Sequence, residues 1–303
     1  MNSIANLQEK IEELKVERNA VILAHNYQPL AIQEIADIAG DSLELSRQAA
    51  ESEGEVIVFC GVHFMAEVAS ILAPQKTVLL PEAQAGCPLA DYITGEALRE
   101  AKQQFPQAEV VCYVNSSAEV KAESDICVTS SNAVEVVASI ESPEILFVPD
   151  QNLGAYVAQQ TGKDIRIWKG YCPSHHVATA ADVSAAREKH PQAALMVHPE
   201  CRPEVVEQAD VVLSTGKMLK YARESQHHSL VVGTETGIIP RLQRENPGKE
   251  FYPLSPYMVC PDMKKITLQK LLSSLEMMGP QVTVPEAVAN RARKSLDRML
   301  EFT

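Results

Sequence analysis

Lys76-Thr-Val-Leu-Leu80 is an apolar run of strand length that leads into Cys87-Pro88, and the chain repeats this arrangement twice. Asp164-Ile-Arg-Ile-Trp168 leads to Cys172-Pro173, and Phe251-Tyr-Pro-Leu254 leads to Cys260-Pro261. The three dipeptides lie 85 and 88 residues apart, as one structural position used three times would. Working outward from each gives the same order of elements. Ala20-Val-Ile-Leu-Ala24 and Glu55-Val-Ile-Val-Phe59 precede the first, with a helix over Met65 to Leu72. Val110-Val-Cys-Tyr-Val114 and Ile145-Leu-Phe-Val148 precede the second, with a helix over Leu153 to Gln160. Ala194-Leu-Met-Val197 and Leu230-Val-Val-Gly233 precede the third. Each unit reads β-α-β-α-β, and strands alternating with helices predict an α/β fold of parallel sheets with helices on their faces.

Fixed offsets support the triplication. Counted from His25, Tyr113 and His198, an aspartate falls 12 residues on in every copy (Asp37, Asp125, Asp210) and a hydroxyl residue 17 on (Ser42, Ser130, Thr215). A period near 85 is too long for a solenoid, whose repeats run about 20–50 residues. The expected architecture is three similar small α/β domains around a pseudo-threefold axis, with the active site at their central junction. The units are 1–100 with an N-terminal helix, 101–185, and 186–303 with a C-terminal helix. The end helices span Met1 to Asn19 (Ile4, Leu7, Ile11, Leu14) and Pro285 to Thr303 (Ala287, Val288, Ala292, Leu296, Leu300). They are expected to pack against each other or a neighbouring domain.

Of the 303 residues 46% are apolar, enough for a sizeable interior, and the formal charge is −13. No basic block or basic aromatic stripe is present, which argues against nucleic acid and anionic membrane as partners. The N-terminus lacks a signal-peptide core, and no apolar run approaches the roughly 18 residues of a membrane span. A cytoplasmic location follows as the expectation, where seven cysteines more readily bind metal, act chemically or pack than form disulfides.

Ligands of parallel sheets bind beyond the carboxyl ends of the strands. Three cysteines converging there without a fourth equivalent, Cys87, Cys172 and Cys260, suit a 4Fe-4S cluster with one open iron. Zinc is the poorer fit, since structural zinc fills four positions. Cys60, Cys112 and Cys127 sit in or beside apolar strands and read as core, and Cys201 has no repeat partner. Ser42, Ser130 and Thr215 open helices, where hydroxyls cap and helix N-termini hold phosphate or carboxylate. His25, Tyr27, Tyr113, Asn115, His198 and Glu200 occupy equivalent strand ends and form a sensible acid–base set. His175, His176, His227 and His228 lack repeat support and are assigned to the surface or the surroundings of the site. Two other classes stay open on these residues. One is an iron–sulfur electron-transfer or binding protein with a fourth ligand such as Cys201; the other is a scaffold with zinc or no metal.

Several stretches resemble the quinolinate synthase family. They are Leu23-Ala-His-Asn-Tyr-Gln28, Gly40-Asp-Ser42, Cys60-Gly-Val-His-Phe-Met-Ala66, Ala85-Gly-Cys-Pro88, Tyr113-Val-Asn-Ser116, Gly170-Tyr-Cys-Pro173, Val197-His-Pro-Glu-Cys201 and Gly233-Thr-Glu-Thr236, in family order over nearly the whole chain. The resemblance implies three similar domains, a 4Fe-4S cluster on Cys87, Cys172 and Cys260, and condensation of iminoaspartate with dihydroxyacetone phosphate to quinolinate in NAD biosynthesis. An L-aspartate oxidase or dehydrogenase would supply the iminoaspartate. Carried over by position, Ser42, Ser130, Thr215, His25 and His198 would hold carboxylates or phosphate, with Asn115 also binding substrate and Met65 walling the pocket. Tyr27, Tyr113 and Glu200 would be catalytic, with Glu200 the general base and Tyr27 a proton shuttle. Some members carry a second cysteine three residues after the third ligand. Met263 stands there instead, which argues against a disulfide switch at that place.

Overall fold

The computed structural model describes residues 4–302. Met1–Ser3 and Thr303, the outermost residues of the two expected end helices, lie outside the described residues.

Among the described residues, twelve strands form three four-stranded sheets. The first holds β1 (Ala20–His25), β2 (Ile38–Gly40), β3 (Val56–Cys60) and β4 (Thr77–Leu79). The second holds β5 (Glu109–Tyr113), β6 (Ile126–Val128), β7 (Ile145–Val148) and β8 (Ile165–Ile167). The third holds β9 (Ala194–Val197), β10 (Val211–Val212), β11 (Ser229–Gly233) and β12 (Glu250–Pro253). All pairings are parallel, and the strand orders β2-β1-β3-β4, β6-β5-β7-β8 and β10-β9-β11-β12 are one topology repeated. The two central strands of each sheet are almost wholly buried, which explains their unbroken apolar runs. The expected α/β class and nine strands are present. The structure adds β2, β6 and β10, edge strands of two or three residues that are too short to show a period.

The repeated aspartates explain how these short edges are fixed. The Asp37 carboxylate accepts the Ile22 N–H at 2.8 Å, Asp125 accepts that of Val110 at 2.8 Å, and Asp210 that of Leu195 at 2.7 Å. Each aspartate's own N–H donates back to the carbonyl of the same residue. One side chain therefore locks the start of the edge strand to the amino end of the first strand in all three sheets.

The core of the first two sheets is continuous and includes the helices Leu268–Met277 and Glu286–Leu300. The third sheet carries two separate apolar layers, one on each face. The helix Ile4–Glu17 packs on Leu268–Met277, and Glu286–Leu300 lies across Ala118–Ala122 and β6 of the second sheet. Chain that follows the third unit therefore returns to close the other two. The buried stripe of the last helix runs through Ala289, Ala292, Leu296 and Met299, a rotation from the expected face that leaves Ala287 exposed and Val288 half-buried. Each large side chain fully buried there contributes about 1.5–3 kcal/mol. In the first helix Ile11 is fully buried but Ile4 is 63% exposed. No helix is long and apolar enough to cross a membrane, among the described residues.

Candidate functional site

In each sheet the chain leaves the first strand toward one edge and the third strand toward the other. The carboxyl ends of β1 and β3, β5 and β7, and β9 and β11 are therefore topological switch points, where parallel sheets leave a crevice. Residues from all three crevices line one cavity. On its wall stand His25 and Tyr27 after β1, Met65 beyond β3, Tyr113 and Asn115 at the end of β5, His198 and Glu200 after β9, and Glu235 after β11. Ser42, Ser130, Thr215, Cys87, Cys172 and Cys260 complete the set, so every site residue expected from sequence is brought to this cavity. No lysine or arginine is among its lining residues.

The hydroxyls arrive by a route that capping statistics would not give. Asp41 caps the helix Ser42–Glu51, accepting from the Leu43 and Glu44 amides, and Ser214 caps Thr215–Glu224, accepting from the Lys217 amide. Ser42 and Thr215 are thus the first helical residues rather than the caps. Ser130 lies in the turn before Ala133–Ser139, where its hydroxyl meets His198 Nε2 at 3.1 Å. Behind them the three units meet directly. The Ser131 hydroxyl donates to Asp41 Oδ2 at 2.8 Å and lies 2.7 Å from that of Ser214. A Cβ on Gly216 would stand 2.7 Å from Asp41 Oδ2, so a larger residue there would push the Asp41 carboxylate from its place beside Ser131.

The two His-x-acidic or aromatic pairs share a backbone reason. The Tyr27 N–H reaches His25 Nδ1 at 3.2 Å, and the Glu200 N–H reaches His198 Nδ1 at 3.3 Å. Burial lowers the His25 pKa to about 4 and also lowers that of His198, so both imidazoles are neutral near pH 7. Burial opposes ionisation of Glu200, yet His175 and His198 outweigh it and hold the carboxyl below its ordinary range. Its Oε2 lies 3.0 Å from His175 Nδ1 and 3.2 Å from His198 Nδ1. The Asn115 amide approaches Oε1 at 3.4 Å, while Asn115 Oδ1 is buried with no partner. A buried acceptor without a donor, on a residue that lines the cavity, can take one from a ligand.

His175 corrects the sequence assignment. It is 1% exposed, far from surface, and occupies the centre of a hydrogen-bonded chain. The Tyr27 hydroxyl lies 2.6 Å from Thr234 Oγ1, which lies 2.8 Å from His175 Nε2, and His175 Nδ1 faces Glu200. His176, by contrast, is half-buried, and His227 and His228 are exposed, as expected. His175 and Thr234 escaped because the repeat gives them no counterparts: Ala90 and Met263 stand three residues after the other two site cysteines. The available signals were adjacency to Cys172 and, for Thr234, its place just after a third strand. Burial raises the Tyr27 and Tyr113 pKa values well above normal, with Glu200 adding to both, so each phenol is held protonated.

Cys87, Cys172 and Cys260 are free and half-exposed, whereas Cys60, Cys112, Cys127 and Cys201 are fully buried. Cys201 Sγ turns to the Gly233 carbonyl at 3.3 Å and is absent from the cavity wall, so it offers no fourth ligand there. Burial raises the three cavity thiols, Cys87 to about 12, and each of Cys87 and Cys172 is raised further by the charge of its cysteine neighbours. Three soft sulfur donors on one cavity wall are a donor set that suits a soft metal. Ligand atoms of Cys172, His175 and Glu200 all lie within 4.8 Å of one another, so the sulfur wall and the relay meet at His175. Met263, where a further cysteine could have stood, is buried and takes a hydrogen bond from Gln28 Nε2 on its sulfur at 3.3 Å.

A family model described as "Quinolinate synthetase A protein" matches residues 9–301. A protein named quinolinate synthase from Dehalococcoides mccartyi (strain 195) is 57% identical over 297 residues, covering 98% of each chain. One named quinolinate synthase 1 from Methanosarcina acetivorans is 54% identical over 296 residues, 98% of this chain and 97% of the other. One named quinolinate synthase from Geobacter sp. (strain M21) is 53% identical over 294 residues, 97% of each.

Proposed function

The chain belongs to the quinolinate synthetase A protein family, and on that premise we propose that it condenses iminoaspartate with dihydroxyacetone phosphate to give quinolinate, phosphate and water. The observation that carries this is the single cavity in which three free cysteines face an acid–base relay and a wall of hydroxyls without any lysine or arginine. Cys87, Cys172 and Cys260 would hold a 4Fe-4S cluster. When bound, it would supply a Lewis-acidic iron with an open position, able to turn a hydroxyl into a better leaving group.

Ser42, Ser130 and Thr215, with helix N-termini at Ser42 and Thr215, would hold the phosphate or carboxylates through dipoles rather than full charges. Neutral His25 and His198 would donate hydrogen bonds to the same anions. Such a wall binds a phosphate that must leave less tenaciously than a lysine cluster would. Asn115 Oδ1 would accept from a ligand hydroxyl or imine N–H, and Met65 would wall the pocket.

Proton transfer runs along the chain's own groups. Tyr27 stays a phenol: as its oxygen takes up a proton from the substrate, its own proton passes through Thr234 to His175 Nε2. The resulting imidazolium is stabilised by ionised Glu200 on Nδ1. Glu200 thereby serves better as the charge that holds the His175 imidazolium than as the base itself, and His175 takes the base's place. Tyr113 would donate to the developing product from the second unit. Holding both substrates among three strand ends makes ring closure effectively unimolecular. The cytoplasm, an aspartate-oxidising enzyme as the source of iminoaspartate, unit boundaries near residues 100 and 185, and a pseudo-threefold axis through the cavity belong to the same proposal.

Anaerobic purification tests it: about four irons and four sulfides per chain are expected, with quinolinate formed from the two substrates and the cluster spectrum perturbed by added quinolinate. A colourless protein that forms no quinolinate overturns the proposal.

A further inference from the structure

Glu235 follows Thr234 at the carboxyl end of β11 and is wholly inaccessible to solvent. Its carboxylate oxygens are all used. Oε1 accepts the Cys260 N–H at 3.1 Å, and Oε2 accepts the Gly237 N–H at 2.8 Å. Lys264 Nζ lies 2.9 Å from both oxygens, and also donates to the backbone carbonyl of Tyr27. A single ion pair thus grips the amide of one cavity cysteine and the peptide of the residue that starts the proton relay. These two points belong to different sheets.

Room for the pair is built in. A Cβ on Gly237 would stand 2.6 Å from the Tyr27 carbonyl oxygen and 2.7 Å from Glu235 Oε2, with Lys264 Nζ closer still. The second sheet keeps an acidic residue at this place: Asp150, two residues after β7, is fully buried, but its Oδ1 accepts the Asn152 and Leu153 amides and caps the helix that follows instead of holding a cysteine. The first sheet has Val62 at this place; there Asp262, two residues after Cys260, instead accepts the N–H of Gly86, the neighbour of Cys87, at 3.0 Å. Carboxylates therefore hold the backbone at Cys260 and beside Cys87. Only Glu235 among them is also tied, through Lys264, to Tyr27.

We propose that Glu235 and Lys264 are a positioning pair that presets the Cys260 thiol for metal and fixes Tyr27 over the same cavity, so that ligand placement and the proton relay depend on one contact. The inference rests on the cluster assignment above. Groups that orient a metal's ligands typically cost 10–100-fold in metal affinity or activity when changed. Breaking one side of a buried pair is costly because it strands a charge, whereas replacing both sides with neutral groups is much milder.

The test uses the anaerobic holoenzyme and an iron chelator. Glu235→Gln, which preserves shape and one acceptor, is expected to release iron about tenfold faster than the parent protein and to lower kcat with little change in KM, as a displaced Tyr27 predicts. Lys264→Gln should do the same, Lys264→Arg should restore most of the slow release, and the double variant Glu235→Gln/Lys264→Gln should release iron more slowly than either single variant. Gly237→Ala, which leaves both charges in place but crowds them, should accelerate release as well. Parent-like release from Glu235→Gln, in a preparation whose parent protein carries a full cluster, overturns this inference alone. Absence of iron and sulfide from the parent protein overturns the cluster assignment and the inference with it.

Discussion

The amino and carboxyl ends of the three sheets have diverged to very different extents. At the amino ends one device is kept in triplicate: Asp37, Asp125 and Asp210 each bind the first strand's backbone at 2.7–2.8 Å. At the carboxyl ends the equivalent positions hold His25, Tyr113 and His198, then Tyr27, Asn115 and Glu200, no two units alike in both. Only the Cys-Pro dipeptide recurs there unchanged. A fold needs the same lock in every unit, whereas a reaction needs different groups facing one substrate. Symmetry is therefore retained where the side chain binds its own backbone and at the three cysteines proposed to share one metal, and is lost among the strand-end residues proposed to act in different steps.

The contrast breaks hardest at the cysteines. Cys172→Ala is expected to lose the full cluster and quinolinate formation while keeping its far-UV circular dichroism, because Cys172 lies outside the strands, lines the cavity and is only partly buried. A full cluster with undiminished activity in that variant would sink the metal assignment.

The relay gives the next largest effect. His175→Asn and Glu200→Gln should each lower kcat by about 10²–10⁴, while quinolinate still perturbs the cluster spectrum. Their effects should fall well short of additive, since both act through one chain of hydrogen bonds. Normal turnover in either variant removes that residue from the proposed relay.

Much of this was legible in sequence for the reason that makes the contrast. Repetition at fixed offsets exposed the three units, the cysteines and the strand-end residues, all of which now line one cavity. It could not expose His175 or Thr234, whose contacts cross from the second unit to the third and have no copies. Nor could it assign Asp37, Asp125 and Asp210, since an aspartate 15 residues from the amide it binds leaves no local pattern. The capping duty given to Ser42 and Thr215 belongs to their neighbours Asp41 and Ser214, a shift of one residue that only backbone geometry decides.

At the amino ends the expected effect is on stability alone. Asp125→Ala leaves the Val110 N–H without its acceptor and should cost about 1–3 kcal/mol in denaturant unfolding, with kcat of the folded fraction unchanged. Asp37 and Asp210 also carry ion pairs, to Lys15 at 2.8 Å and Arg187 at 2.8 Å, so Asp125 isolates the backbone lock most cleanly. A stability loss absent from Asp125→Ala, or a specific loss of kcat, would erase the division between the two ends.

The remaining effect appears only on acidification and lies in how the carboxyl ends titrate. His25 has an ordinary pKa of 6.5 and a folded value of about 4, lowered by burial. As pH falls below about 6.5 the unfolded chain takes up this proton while the folded chain refuses it, so unfolding gains protons and stability declines. The contribution is fully present above 6.5, is lost progressively as pH falls toward 4, and changes no further once both states are protonated. His198 shifts in the same direction, but Tyr113, at the equivalent place in the second unit, has no group that titrates in this window. His25→Asn keeps an oxygen able to accept the Tyr27 N–H and removes the titration. In urea unfolding of metal-free protein between pH 6.5 and 4, its stability should therefore fall less steeply than the parent's, by a slope approaching one proton. Tyr113→Phe should leave the slope as it is. Parallel slopes for His25→Asn and the parent protein would mean that the His25 imidazole is not held neutral by burial, and that this strand end differs from Tyr113 in shape alone.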